Sequence, residues 1–298
     1  AAINNTNAGG TVAIGHDALT ALTSGAGNVA MGFQAMSTAT TALNSVAVGK
    51  HAMKDVKAAV AADGCIAIGS SALYGNSSND TTIGGSIAIG SAALYSLQTG
   101  VGNIGIGYTA LTQHTTGVRN IAIGYGAMDQ TAGDAGAAPA STDNIFVGYN
   151  AGGGDWVNDA QSNYNIGIGN SALDADLDGA LYNVCVGFET GSAITSGGHN
   201  TIMGNTAGNV ITTGTQNTII GSATDPSANS GTNQTVIGYG VTGTDDNEIA
   251  LGNTSITAIK AQVSSITAYS SDERTKKDVA DYDLKGVDFI KELQLKTY

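Results

Sequence analysis

The pentapeptide Asn120-Ile121-Ala122-Ile123-Gly124 is one copy of a motif that recurs along nearly the whole chain. An aliphatic residue precedes the glycine in each copy, Val, Ile or Thr stands three positions before it, and Ala or Gly stands between them in most early copies. This period-two alternation predicts a short β-strand with two different faces. We expect the large side chains to line a core and the small ones to let another layer approach. The glycine should turn the chain, because it adopts positive φ without a steric penalty.

Stacking of these copies is the predicted architecture. Most neighbouring glycines of the motif are 17 residues apart, as Gly107 and Gly124 are (124 − 107). The predicted turn glycines include Gly15, Gly32, Gly49, Gly107, Gly124, Gly204, Gly221 and Gly238. A strand of about five residues cannot bury a core alone, whereas stacked copies can. We therefore predict an all-β fold over residues 1–253, with one rung per copy and strands about 4.8 Å apart.

Two further features of the repeat predict details of the structure. An asparagine stands four residues before most of the glycines, and its side-chain amide should cap a turn and form a ladder from rung to rung. After Gly187 the motif changes, as in Thr201-Ile202-Met203, where the middle residue becomes large and the outer one becomes Thr. This switch predicts a change in the geometry of the core.

The net charge and the hydropathy of the chain limit the classes of partner that it is expected to bind. The net charge is −13, and residues 1–253 contain four Lys or Arg against seventeen Asp or Glu. Such a surface repels nucleic acid and anionic membranes, so we expect no nucleic-acid partner. No apolar run approaches the roughly 18 residues that span a bilayer, so no membrane insertion is expected. The two cysteines, Cys65 and Cys185, form no disulfide framework, which fits assembly in a cytoplasm, and Cys185 should be a buried small hydrophobe.

The repeated Asn-Val-Ala-Ile-Gly pattern, over roughly residues 11–252, resembles the head repeats of trimeric autotransporter adhesins and the related shafts of phage tail fibres. In those families three chains build one β-roll or triple β-helix. The resemblance therefore implies a homotrimer. It concerns architecture, and function has to be argued from sites.

A second resemblance covers the C-terminal part of the chain. The run Ser270-Ser271-Asp272-Glu273-Arg274-Thr275-Lys276, preceded by Ile249-Ala250-Leu251-Gly252, is similar to the entry of the intramolecular chaperone domain of endosialidase-type tailspikes. The resemblance implies a neck over 254–270 and a short α/β segment over 271–298, the truncated beginning of that domain. It also implies autoproteolysis, with Ser271 as nucleophile and Lys276 as base. The alternative is a polar linker into a short helix near Val287–Leu293.

One insertion in the repeat has the chemistry of a carbohydrate-binding surface. Tyr149, Asp155, Trp156 and Asn158 are candidate receptor-binding residues, since aromatic rings stand there among glycines and hydrogen-bonding groups. The alternative is that Trp156 covers the end of a core. Aromatic residues also follow several of the glycines, and a stacked packing ladder is favoured over sugar-stacking platforms for Phe33, Tyr108, Tyr125, Tyr149, Phe188 and Tyr239.

Calcium is the only cofactor for which the sequence contains a candidate site. Asp174, Asp176 and Asp178 have the spacing that begins an EF-hand loop, but Cys185 stands where that loop needs a bidentate glutamate. A solvated turn is the favoured interpretation, and no other cofactor is expected.

The two resemblances together imply a structural tail-fibre protein of a phage virion. It would be assembled in the host cytoplasm, contact other tail or baseplate proteins and present a surface to a host glycan or protein. One alternative is a trimeric adhesin on a bacterial cell surface. A fibre-borne polysaccharide depolymerase is a weaker alternative, because it needs paired carboxylates in one cleft and the repeats offer no obvious pair. No metabolic enzyme activity is expected.

Overall fold

The structure is a computed structural model that describes residues 9–56, 62–75, 82–131, 140–156 and 160–258. Fourteen strands of three residues, β1 to β14, form one parallel sheet in sequence order. They are Val12–Ile14, Val29–Met31, Val46–Val48, Ile66–Ile68, Ile87–Ile89, Ile104–Ile106, Ile121–Ile123, Ile145–Val147, Ile166–Ile168, Val184–Val186, Thr201–Met203, Thr218–Ile220, Thr235–Ile237 and Ile249–Leu251. Each motif copy supplies one strand, so the fold is an all-β parallel solenoid with one strand per coil, as predicted.

The solenoid lies in the first of two compact units, Ala1–Ser255, and the second unit is Ile256–Tyr298. Only residues 256–258 of the second unit are described. The predicted segment 271–298, with Ser271 and Lys276, and most of the predicted neck 254–270 lie outside the described residues. Within the described ranges, no helix is long and apolar enough to cross a membrane.

The orientation of the strands differs from the expectation that large side chains line the core. In β7 the small middle residue, Ala122, is fully buried, whereas Ile123 is 37% exposed. The bulk of the core comes from the turn, where Leu or Met stands four residues after the strand-ending glycine. These buried residues are Leu19, Met36, Met53, Leu73, Leu94, Leu111, Met128 and Leu173. The expectation was wrong because the coil is narrow: a Cβ on Gly105 in β6 would lie 3.2 Å from Cγ of Leu94.

In the coil of β8 the middle strand residue is large, and the turn residue that faces it is glycine. Phe146 in β8 is fully buried, and Cβ atoms placed on Gly152 and Gly167 would lie 2.7 and 2.6 Å from its ring. Trp156 packs against the edge of Phe146, with ring centroids 6.0 Å apart. The core volume is therefore supplied from the strand side in this coil and from the turn side in most others.

The same exchange explains the switch after Gly187. A Cβ on Gly208 would lie 2.8 Å from Cδ1 of Ile202, and one on Gly191 would lie 2.8 Å from Sγ of Cys185. Cys185 and Ile202 are fully buried, while Thr201 faces outward. In the coils of β10 and β11 the change in the core is thus an exchange of large and small residues between its two walls, and the strand order continues unchanged to β14.

The predicted asparagine ladder is confirmed. Asn165 Nδ2 donates to Asn144 Oδ1 at 3.2 Å and to the carbonyl of Ala180 at 2.8 Å. Asn165 Oδ1 accepts from the backbone N–H of Asn183 at 3.1 Å and from its Nδ2 at 3.0 Å. The buried members are Asn28, Asn103, Asn120, Asn144, Asn165, Asn183, Asn200 and Asn217. From Asn120 to Asn217 each side chain joins three consecutive coils, so polar backbone groups inside the stack are satisfied.

The strand-ending glycines also stack on one another. Gly107 has φ of 138°, which side chains disfavour, and a Cβ there would clash with the backbone carbonyl of Gly124 in the next coil. All eight of the predicted turn glycines have positive φ, namely Gly15, Gly32, Gly49, Gly107, Gly124, Gly204, Gly221 and Gly238. Glycine is needed here for two reasons: its backbone adopts this conformation readily, and its lack of a side chain lets adjacent coils approach closely.

Replacement of Gly107 by alanine should therefore destabilise the solenoid by roughly 3 kcal/mol or more, because strain and a backbone clash combine. Gly85→Ala is the matched control. Gly85 has φ of 68°, but a Cβ there meets nothing within 4 Å. The control should cost only about 1–2 kcal/mol. Urea unfolding followed by circular dichroism measures both, and equal losses would contradict the stacking role of Gly107.

Candidate functional site

The first and third residues of the strands form a continuous apolar surface, which we call the outward strand face. None of these positions carries Asp, Glu, Lys or Arg. Large aliphatic side chains are exposed along it, including Val12, Ile14, Met31, Ile68, Ile123, Ile168, Met203, Ile220, Ile249 and Leu251. With strands about 4.8 Å apart, the face is about 60 Å long. Contiguous apolar surfaces of this extent mark interaction sites in soluble proteins.

An aromatic row follows the strand-ending glycines at one edge of this face. The rings of Tyr108 and Tyr125 stack with centroids 5.0 Å apart, and those of Tyr125 and Tyr149 stack at 5.6 Å. The stacking covers ring faces and leaves edges exposed. The favoured prediction of a packing ladder is therefore confirmed for these three residues.

A second row lies at the other edge, at the position immediately before the asparagine ladder. It comprises Arg119, Asp143, Tyr164, Tyr182 and His199, and we call it the Arg–Tyr–His row. Tyr164 and Tyr182 stack at 4.9 Å with planes 5° apart, and Tyr182 stacks on His199 at 4.9 Å. Sequence analysis missed this row, although Tyr164, Tyr182 and His199 each precede a ladder asparagine.

The backbone of this row is in the left-handed region. Arg119, Tyr164, Tyr182 and His199 have φ of 58°, 60°, 58° and 58°. Eight other coils have glycine or asparagine at the same position, namely Gly10, Gly27, Gly64, Gly85, Gly102, Asn44, Asn233 and Asn247, and one has Gln216 with φ of 61°. A large side chain costs about 1–2 kcal/mol here. The row and Gln216 therefore depart from the residues that this conformation favours.

Arg119 and Asp143 form a bidentate ion pair within the row. Nε of Arg119 donates to Oδ1 of Asp143 at 2.6 Å, and Nη2 donates to Oδ2 at 2.8 Å. The guanidinium hydrogen bond lowers the pKa of Asp143, and the same bond raises the pKa of Arg119. Both groups are therefore charged at neutral pH, and the pair has no net charge.

A shallow groove of about 480 Å³ runs beside the ion pair. We call it the threonine groove, and its walls are Thr82, Thr99, Thr116, Thr142, Val101 and Val118. Val118 and Thr142 directly precede Arg119 and Asp143 in the sequence. The groove and the row are therefore neighbouring parts of one surface, and the exposed lining of the groove is almost entirely apolar.

The floor of the groove is formed by Gly100 and Gly117, and a buried histidine lies beneath it. A Cβ on Gly117 would lie 3.0 Å from the ring of His114. Nδ1 of His114 is 3.0 Å from Oγ1 of Thr131. Burial lowers the pKa of His114 to about 4, although a backbone hydrogen bond with Gly117 opposes the shift. His114 is thus neutral at pH 7.

The sequence-predicted receptor residues do not share one surface. Tyr149 is 56% exposed, whereas Trp156 is 2% exposed and lies against Phe146 in the core. Asp155 is half-buried, and its backbone N–H donates to Oδ1 of Asp176 at 2.9 Å. Asn158 lies outside the described residues. The alternative interpretation, that Trp156 covers part of a core, agrees with its position.

The remaining predicted site was a calcium site at Asp174, Asp176 and Asp178. Burial is the largest influence on Asp174 and raises its pKa. Oδ1 of Asp176 is used to bind the Asp155 backbone. In the part of the chain that the structure describes, no three His, Cys, Asp or Glu residues are grouped so as to hold a metal ion.

Comparison with known proteins adds no assignment to this geometry. No protein-family model matches the chain, and no curated protein matches it.

The buried histidine predicts a loss of stability in mild acid. The unfolded chain binds a proton as pH falls through about 6.5, whereas folded His114 resists until about pH 4. Its contribution is fully present above pH 6.5 and decreases by up to about 3 kcal/mol as pH falls to 4. His114→Gln should reduce the shift in urea midpoint between pH 7 and pH 5, while the exposed control His199→Gln should keep it. An unchanged shift in His114→Gln would contradict this role.

Proposed function

We propose that this chain is a segment of an elongated structural fibre that assembles with copies of itself through the outward strand face. The observation that carries the proposal is the apolar surface along all fourteen strands. Burial of such a surface is worth about 25 cal/mol per Å², which favours association. A lone chain would leave it in contact with water.

Several properties of the face favour another copy of the chain as its partner. A second solenoid has the same rung spacing, so side chains of two faces can interdigitate over their whole length. Charge is absent from the face although the chain carries −13 overall, and interface centres are depleted of charged residues. We propose a homotrimer, the assembly implied by the resemblance of the repeats to adhesin heads and tail-fibre shafts.

The proposed setting is a phage tail fibre that joins other tail or baseplate proteins and presents a surface to a host receptor. It would be assembled in the host cytoplasm and reside in the virion. A bacterial surface adhesin is the second candidate, because the same face would serve the same assembly there. The beginning of an intramolecular chaperone domain at 271–298 remains a prediction that distinguishes the phage setting.

Light scattering of residues 1–298 tests the assembly. We expect a mass of about 89 kDa, three times 29.6 kDa. Ile123→Lys combined with Ile168→Lys places charges on the outward strand face and should lower the proportion of trimer at least tenfold. Val210→Lys is the control, because Val210 is 42% exposed but lies outside the strands.

A stable monomer of the wild-type chain would contradict the proposal. An equal loss of trimer in the face variant and in Val210→Lys would show that added charge, and not the location of that charge, disrupts assembly.

A further inference from the structure

We propose that the Asp225–Pro226 peptide bond is a self-cleavage site, at which the side-chain carboxyl group of Asp225 attacks its own backbone carbonyl in mild acid. This is the only Asp–Pro pair in the sequence, and it lies in the turn between β12 and β13. Cleavage would leave β1 to β12 on one fragment and β13 and β14 on the other. The inference goes beyond the proposed fibre, because it concerns a covalent reaction within one chain.

The reaction balances with water as its only other reactant. One carboxyl oxygen of Asp225 forms a bond to the backbone carbonyl carbon of the same residue, which closes a cyclic anhydride. The bond from that carbon to the nitrogen of Pro226 breaks, and the carboxyl proton leaves on the nitrogen, which becomes a secondary amine. Water then opens the anhydride and restores Asp225 with a free α-carboxyl group. Carboxyl groups act as nucleophiles of this kind in covalent catalysis.

Proline is the residue that makes the bond after Asp225 easy to break. Its nitrogen is bonded to three carbon atoms and has no N–H. Such a nitrogen accepts a proton more readily than that of an ordinary peptide bond, so it is the better leaving group. The departure of the amine completes the first step of the reaction.

The side chain of Asp225 supplies a nucleophile that is held in place. Its Oδ1 is buried and has no hydrogen-bond partner among the described residues. The carboxyl group accepts backbone hydrogen bonds from Val210 and Asn209 in the preceding coil. One oxygen is therefore free to react while the group as a whole is positioned. A nucleophile fixed beside its target loses little entropy in the attack.

The next coil fixes the backbone that is attacked. The N–H of Asp225 donates to the carbonyl of Val241 at 2.9 Å, and the carbonyl of Asp225 accepts from the N–H of Gly243 at 2.9 Å. The second bond is directed at the oxygen that becomes negative during the attack, and donors placed in this way stabilise the transition state. On the leaving side, the N–H of Ser227 donates to Oε1 of Gln234 at 2.9 Å.

The environment of Asp225 sets the pH dependence. Burial raises the pKa of Asp225, and the backbone hydrogen bonds from Val210 and Asn209 oppose the shift. Segments 209–210 and 241–243, which bond to Asp225, contain no titratable side chain. The undissociated carboxyl is the reactive form, because it carries the proton that the nitrogen takes. Folded Asp225 holds this form at a higher pH than an aspartate of the unfolded chain, whose pKa is about 3.9.

Asp129 is a natural control within the same chain. Burial also raises the pKa of Asp129, and its Oδ1 also lacks a hydrogen-bond partner among the described residues. Its backbone carbonyl accepts from the N–H of Gln113 at 3.1 Å. The next residue is Gln130 instead of proline. The bond between Asp129 and Gln130 should therefore stay intact under conditions that break the bond before Pro226.

The test is incubation of residues 1–298 at pH 5 and at pH 7.5 with protease inhibitors, followed by mass spectrometry under denaturing conditions. At pH 5 we expect fragments 1–225 and 226–298, whose masses add up to the intact mass plus one water. The rate should be independent of protein concentration. It should be at least tenfold faster for the folded chain than for the chain unfolded in urea at the same pH, and slower at pH 7.5.

Variants separate the carboxyl group from the leaving group. Asp225→Asn should give no fragments, and Asp225→Glu should react at least tenfold more slowly because its anhydride ring is larger. Pro226→Ala keeps the carboxyl group and should also react at least tenfold more slowly. Asp245→Asn is the matched control, because Asp245 is exposed and is not followed by proline. Circular dichroism at pH 5 establishes that each variant is folded.

Each contrary outcome overturns the inference. These outcomes are an intact folded chain at pH 5, cleavage that is no faster in the folded chain than in the unfolded one, and wild-type cleavage in Asp225→Asn. Equal cleavage between Asp129 and Gln130 would show general acid hydrolysis at buried aspartates. A rate that rises as the inhibitors are withdrawn would show a contaminating protease.

Discussion

Each coil of the solenoid is joined to the next by main-chain hydrogen bonds between three-residue strands, and the coils from Asn103 to Asn217 are also joined by the buried asparagine ladder. The strands alone are too short to hold the stack, because much of each coil is turn with its own polar groups. Asn120 shows how the ladder satisfies them: Nδ2 donates to Asn103 Oδ1 and to the carbonyl of Ser141, while Oδ1 accepts from Asn144. Regular stacking fixes the rung spacing, and the rung spacing aligns every surface row described above.

A narrow core imposes the second constraint. The space between the middle of the strand and the facing turn is filled by one large side chain, which the turn supplies as Leu94 in one coil and the strand supplies as Phe146 in another. The glycines opposite Phe146 show that neither wall can be enlarged independently. His114 and Thr131 show that the core also accepts a polar pair where the two side chains bond each other. The outward-facing residues are not subject to this packing constraint. The amino acids of the strand face and of its edges can therefore vary with function.

Much of the architecture follows from the sequence because the motif encodes it locally. Alternation predicts strands, glycine predicts the turns, and the ladder asparagine stands four residues before the glycine in most copies. Alternation alone does not show which face of a strand points inward. Ala122 can be assigned to the core only after Leu94 and Met128 are recognised as the large residues that fill it. Trp156 was similarly ambiguous, because its burial depends on Phe146 and Gly152 across the coil. The Arg–Tyr–His row could have been predicted from the sequence, since its members precede ladder asparagines, but the stacking of Tyr164, Tyr182 and His199 on one another is visible only in three dimensions.

The account depends most on burial of the outward strand face between copies of the chain. Thiol labelling measures this burial directly, because Cys65 and Cys185 are buried and burial raises the pKa of both thiols. In the native assembly, Ile123→Cys should react with a maleimide at least tenfold more slowly than Val210→Cys, and denaturation should make the two rates equal. Native Ile123→Cys that reacts as fast as Val210→Cys would show that the face is open to solvent and would contradict the account.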